Sequence, residues 1–161
     1  MAIAPTLKNY LDDHEIRYDT LSHRHTSNSM ETAATAKVPL SQLAKAVVFR
    51  DENRRYLMAV VPSLCRAEVS RLNTLTNHQL SLAGERELGR LFGDCEVGAV
   101  PPVGIAYDLP VIWDERLGEM EDLYLEAGDH EHLVHLKHSE FSRLMASSSR
   151  GRFCQAMIYA H

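Results

Sequence analysis

The stretch Leu40-Ser41-Gln42-Leu43-Ala44-Lys45-Ala46-Val47-Val48-Phe49 carries a polar turn into an apolar strand, with a single lysine at its threshold. Four residues without a polar side chain follow Lys45. Its ammonium therefore starts beside a buried sheet and must either reach back to water or point into a cleft. A polar loop, Asp51-Glu52-Asn53-Arg54-Arg55, separates this run from a second apolar one that Pro62 closes. The pattern predicts an antiparallel hairpin over residues 45–50 and 56–61.

Working outward, Leu7, Tyr10, Leu11 and His14 recur at helical spacing behind Pro5 and predict a short amphipathic helix. Ile16, Tyr18 and Thr20 alternate as in a strand, and residues 22–28 read as a polar loop. Ser29 as N-cap, Glu31 in the first turn and a run of alanines predict a helix that Pro39 ends. Downstream, the periodicity predicts a helix over 66–75, a strand over 78–82, and a helix over 85–92 buried through Leu88, Leu91 and Phe92 and stopped by Gly93. Strands follow at 109–113, 123–127 and 133–136, then a helix over 139–145 capped by Ser139. This order is mixed α/β (α+β), without the strict alternation of a doubly wound parallel sheet.

The 161 residues fit one domain, and 45% hydrophobic content suffices for a core. No apolar run approaches the roughly 20 residues that span a bilayer, and residues 1–5 lack the features of a signal peptide, so the expectation is a cytoplasmic protein with no membrane partner. Cys65, Cys95 and Cys154 are far apart, odd in number and without a C-x-x-C pair, which predicts free thiols. A net charge of -5 argues against coating nucleic acid by bulk charge. Yet Lys45, Arg50, Arg54, Arg55, Arg66 and Arg71 fall in one third of the chain, whereas residues 114–131 hold eight acids and one arginine. Such a basic face suits a local grip on a few phosphates.

Two stretches are built for close approach of a ligand. Gly98-Ala99-Val100-Pro101-Pro102-Val103-Gly104 has two adjacent prolines to stiffen its backbone and glycines to bare it, so its N–H groups form a fixed hydrogen-bonding surface. Ala127-Gly128-Asp129-His130 is a second small-residue turn after a strand. The histidine pairs and clusters at 23/25 and 130/132/135/138 include no H-E-x-x-H motif and no histidine–cysteine set, so no metal is expected. A G-x-S-x-G elbow is missing too, and Cys65 and Cys95 lack an activating signature.

Taken in order, the His23-Arg24-His25-Thr26 loop, the small-residue helix, Ala44-Lys45-Ala46-Val47-Val48, Val61-Pro62, the Gly98–Gly104 loop and Ala127-Gly128 resemble the YbaK/prolyl-tRNA-synthetase-associated family over residues 5–146. That family contains aminoacyl-tRNA deacylases, which remove wrongly attached amino acids. The resemblance implies a mostly antiparallel, barrel-like mixed sheet flanked by helices, with domain residues 1–146 and an appendage over 147–161. It further implies Lys45, Gly98 and Gly128 at the catalytic centre. His25, Thr26, Met30, Ala99, Val100, Pro101, Pro102, Gly104, Ala127, Asp129 and His130 would contact substrate. No cofactor is implied. The implied partners are the acceptor end of an aminoacyl-tRNA and an aminoacyl-tRNA synthetase, and the implied substrate is a small amino acid such as alanine or cysteine on a proline tRNA. Ala127 stands where some members carry a serine associated with choosing the amino acid. A ribose ester is already activated, so its hydrolysis needs positioning, an oxyanion site and a water. Lys45 then serves as cationic anchor and stabiliser rather than base. The alternative is a non-catalytic module that binds a ligand, nucleotide or tRNA in the same pocket.

Overall fold

A computed structural model describes residues 3–157; the remainder of the expected appendage, 158–161, lies outside the described residues. The elements are α1 (Pro5–Asp13), β1 (Asp19–Ser22), α2 (Ser29–Ala36), β2 (Leu43–Arg50), β3 (Tyr56–Pro62), β4 (Cys65–Ala67), α3 (Val69–Thr76), β5 (Ser81–Leu82), α4 (Glu85–Leu91), β6 (Val111–Asp114), β7 (Asp122–Glu126), β8 (His132–Lys137), α5 (His138–Leu144), β9 (Ser149–Gly151) and β10 (Cys154–Ala156). Short 3₁₀ turns at Gly104–Tyr107 and Glu115–Glu119 flank β6.

The predicted hairpin forms with Lys45 opposite Val61, and it is the centre of a mixed sheet ordered β1-β8-β7-β2-β3-β6-β9, with β5 on the free part of β2. β2–β7, β3–β6 and β6–β9 run parallel, and the other pairs antiparallel. Because side chains alternate across a strand, the sheet buries both faces. One face packs Val48, Val60, Leu125 and Val134 against Leu7 and Leu11 of α1 and Phe141 and Leu144 of α5. The other packs Phe49, Ala59 and Val61 around Leu72 and Phe153. Among the described residues, no helix is long and apolar enough to cross a membrane.

Several local expectations are corrected. Asn28, not Ser29, caps α2: its side-chain oxygen accepts the Glu31 N–H at 2.9 Å. The helix ends at Ala36, where Lys37 takes a left-handed conformation, two residues before Pro39. Arg66 lies in β4, because pairing with β10 claims residues 65–67 and delays α3 to Val69. Ser139 caps nothing; Lys137 holds the N-cap position of α5 without a side-chain bond. Cys65 and Cys154 are a disulfide rather than free thiols: the antiparallel β4–β10 pairing brings Cα atoms 89 positions apart in sequence to 5.2 Å. Cys95 alone is free.

Residues 149–156 pack on the domain through these strands. β9 extends the sheet beside β6, and buried Asp114 accepts the N–H groups of Phe153 (2.9 Å) and Cys154 (2.8 Å) through one carboxylate oxygen. Phe153 is thereby sealed into the second core.

Candidate active site

The site is a consequence of how β2 is flanked. Its β3 edge is paired from Ala44 to Arg50. On the opposite edge β7 pairs only with Leu43 and Ala44, and β5 only with Phe49 and Arg50. β7 leaves the sheet after Glu126, through the turn Ala127-Gly128-Asp129-His130, and a gap is left beside residues 45–47. A cavity of about 220 Å³ opens there, with Lys45, Ala46, Gly98, Val100, Glu126 and His130 in its lining. The start of α2 supplies another wall through Asn28 and Thr32.

Lys45 is half-buried and makes no hydrogen bond or ion pair among the described residues. Burial first, and then the nearby Arg66 guanidinium, hold its ammonium below the ordinary lysine value. Arg66 is exposed and likewise has no carboxylate partner among the described residues. Two neighbouring cations without a counter-ion are an arrangement that an anion relieves.

The proline-stiffened loop runs from Gly98 to Gly104, with Gly98 exposed and Val100 half-buried. Gly98 has φ +81°, a value that favours glycine, and a Cβ there would approach the His130 ring at 3.6 Å. Ala99 N–H donates to Glu96 O at 3.0 Å, closing a turn that leaves the Gly98 and Val100 N–H groups without a protein acceptor among the described residues. His130 ties this loop to the turn after β7: its Nε2–H donates to Val97 O at 2.7 Å, and its Nδ1 faces Glu126 Oε1 at 3.9 Å. His25 meets the His130 ring edge-on at 5.3 Å and Glu96 Oε2 at 3.2 Å.

Of the residues expected to touch substrate, Lys45, Gly98, Val100 and His130 come together in the cavity lining, with His25 against His130. The others sit behind or beside it. Thr26 is buried and bonds Thr32 at 2.6 Å. Ala99, Pro101 and Pro102 are buried residues of the loop itself, and Gly104 is there because a Cβ would come within 2.8 Å of Val111. Ala127 spends its N–H on His132 O and its carbonyl on Ala4 N–H. Gly128, with φ +120°, has Ala4 and Cys95 where a Cβ would go, and donates its N–H to Glu126 Oε2 at 2.9 Å. Asp129 caps its own turn, accepting from Glu131 N–H, His132 N–H and the His132 ring. Met30 is 52% exposed and is not among the lining residues.

Several lining residues went unread in the sequence, Ala46, Leu88 and Glu126 among them. Ala46 and Leu88 looked like plain strand and helix residues, while Glu126 looked like one acid of a solvated run; its place as the last residue of β7 before Ala-Gly was the available signal. The histidines considered as metal ligands have other partners: His132 bonds Asp129 at 2.6 Å, and His135 lies between Asp19 (2.7 Å) and Asp122 (2.8 Å). Asp51 and Glu52 of the β2–β3 loop cluster with His78, which follows α3 and contacts Glu52 through Nδ1 at 3.0 Å, and none of them lines the cavity. Burial pushes the Cys95 thiol up to about 12, so it carries no thiolate character near neutrality.

The model of the aminoacyl-tRNA editing domain matches residues 23–144. No curated protein matches the chain in sequence. Among solved structures, a candidate trans-editing enzyme for prolyl-tRNA synthetase superposes with TM-score 0.82 at 21% identity, covering 95% of this chain and 97% of that one. A protein from work on computational epitope backbone grafting has TM-score 0.82 at 19% identity, over 95% and 97%. Part of a candidate signal transduction protein from Marinobacter aquaeolei VT8 also matches, with TM-score 0.70 and 20% identity, over 92% of this chain and 30% of that one. At these identities the structures establish a shared fold.

Proposed function

The chain belongs to the family of aminoacyl-tRNA editing domains, and from that premise we propose that it is a trans-acting deacylase that hydrolyses the ester of a mischarged tRNA. The observation that carries this reading is the cavity in which a half-buried Lys45, unpaired among the described residues, faces a glycine–proline loop whose Gly98 and Val100 N–H groups have no acceptor among those residues. Lys45, with Arg66 beside it, holds a phosphate of the terminal nucleotide and so fixes the ester in the cavity. Water adds to the ester carbonyl carbon, with the neighbouring ribose hydroxyl taking part in moving its proton. The resulting oxyanion is held by the loop N–H groups. Collapse breaks the bond to the ribose oxygen, which takes a proton and leaves as the free tRNA end, while the amino acid departs as its carboxylate. Placing the lysine in this role uses its charge and asks nothing of it as a base.

A cavity of about 220 Å³ suits a small side chain. Alanyl and cysteinyl esters of proline tRNA are the first substrates to test, with seryl and threonyl esters next. The test is a deacylation screen of the purified protein over such a panel. Turnover of at least one small aminoacyl ester above its spontaneous rate is expected. Specific binding of a ligand or tRNA with no hydrolysis of any ester would replace the deacylase with a binding module.

A further inference from the structure

The open edge of β2 can be accounted for residue by residue. N–H and C=O groups of alternate residues point to opposite sides of a strand. Gln42 O accepts from Tyr124 N–H at 2.9 Å and Val48 O from Ala83 N–H at 3.0 Å, so the even-numbered positions face away from β3. The β3 edge agrees: Ala44 stands opposite Pro62, which has no N–H to offer, and Val48 stands opposite Met58, whose N–H goes to Pro110 O at 2.9 Å. Ala46 shares this parity. It lies past the last β7 partner of β2 and short of the first β5 partner. Its N–H and its C=O therefore both face the gap, with no protein partner among the described residues.

One residue offering a donor and an acceptor on the same edge is half of an antiparallel hydrogen-bonded pair, in which the residue opposite returns its own N–H and C=O. An α-amino acid ester carries that complement on a single residue, as ammonium N–H and ester carbonyl. The geometry points to Ala46 as the main-chain receptor of the aminoacyl group, which docks as a one-residue strand completing the sheet between β7 and β5. Glu126, in the same lining, supplies the counter-charge for the ammonium. Side chains of a cross-strand pair lie on one face, so the substrate side chain falls on the Ala46 side, where Leu88 and Val100 also pack against the core. The inference rests on the deacylase reading and adds how that enzyme recognises an α-amino acid whatever its side chain.

The test compares the hydrolysis of alanyl-tRNA with that of propionyl-tRNA, which lacks only the α-ammonium, each relative to its spontaneous rate. Loss of one charge-assisted bond predicts a rate enhancement at least about tenfold lower on the propionyl ester. The second measurement follows the Ala46 amide by nuclear magnetic resonance as 3′-alanylamino-3′-deoxyadenosine, a non-hydrolysable end of the substrate, is added. A shifted and slowly exchanging Ala46 N–H is expected. Ala46→Pro removes that N–H without breaking a ladder bond and should lower turnover of alanyl-tRNA by a similar factor. Equal enhancement on the two esters, or an Ala46 amide unmoved by bound probe, overturns the inference while leaving the deacylase in place. A protein that hydrolyses neither these esters nor any other of the panel fails the deacylase reading, and this inference falls with it.

Discussion

Substituting Lys45 by methionine keeps the aliphatic stem and removes an ammonium that is half-buried, lies in the field of Arg66 and has no carboxylate partner among the described residues. An unpartnered buried polar group costs about 1–3 kcal/mol, and partial contact with water puts Lys45 at the lower end, so a gain of about 1 kcal/mol is expected. For a domain of this size that is a rise of roughly 2–4 °C in Tm. The sign with pH is fixed by linkage. Lys45 has its value lowered in the folded chain, so the unfolded chain binds the proton more tightly. The penalty is fully present at pH 7 and disappears as pH rises through the lowered value toward the ordinary 10.5. The advantage of the methionine variant should therefore shrink over the same range. Thermal denaturation followed by circular dichroism at pH 7 and near pH 10.5 reads both effects. Activity moves the other way: loss of a charge-assisted contact worth about 1.5–3 kcal/mol lowers kcat/KM by about 10- to 150-fold. A variant less stable than the parent at pH 7, or one whose advantage is the same at high pH, would refute the reasoning that Lys45 is a strained cation kept for a ligand.

Other perturbations probe the frame around the site. Reducing the Cys65–Cys154 disulfide reopens a loop of 89 positions, which chain-entropy reasoning values at about 4–5 kcal/mol; a urea midpoint unchanged by dithiothreitol would contradict that. Gly128→Ala would force a Cβ to 2.9 Å from the Ala4 methyl at φ +120°, and thermal melting should show a loss of about 3 kcal/mol, with less than 1 kcal/mol counting against the packing described. Glu140 accepts the Arg17 N–H at 2.8 Å and pairs with Arg143 at 2.9 Å, and these hold its carboxyl below the ordinary 4.5. Its contribution is complete above that value and is lost as pH falls through the lowered one, so Glu140→Gln should flatten the acid limb of a stability–pH curve, and an unchanged limb would exclude the contribution.

The hairpin around Lys45 was legible in the sequence because its determinants are local: two β-branched runs, a polar loop and a closing proline. The Gly98–Gly104 loop was legible for the same kind of reason, since glycine and proline announce backbone conformation directly. What escaped was set by partners far along the chain. Nothing near Cys65 or Cys154 foretells the β4–β10 pairing that joins them, and the helical periodicity around Arg66 yields to that pairing. The site divides in the same way. Gly98 and Lys45 carry their own signals, but Glu126 reaches the cavity only because β7 ends at that residue, and Ala46 matters through main-chain groups that no side chain reports. Met30 and Asp129 had the right address in sequence, yet one is exposed outside the lining and the other is consumed by its own turn.

The central claim is that Lys45 serves the hydrolysis of an aminoacyl ester without serving the fold. Single-turnover deacylation of alanyl- and cysteinyl-tRNA by the parent protein and by Lys45→Ala, with circular dichroism spectra and melting curves for both, tests it most directly. The account predicts a rate constant at least about tenfold lower in the variant, with spectra superimposable and the melting temperature not reduced. Equal rate constants in the two folded proteins would contradict it.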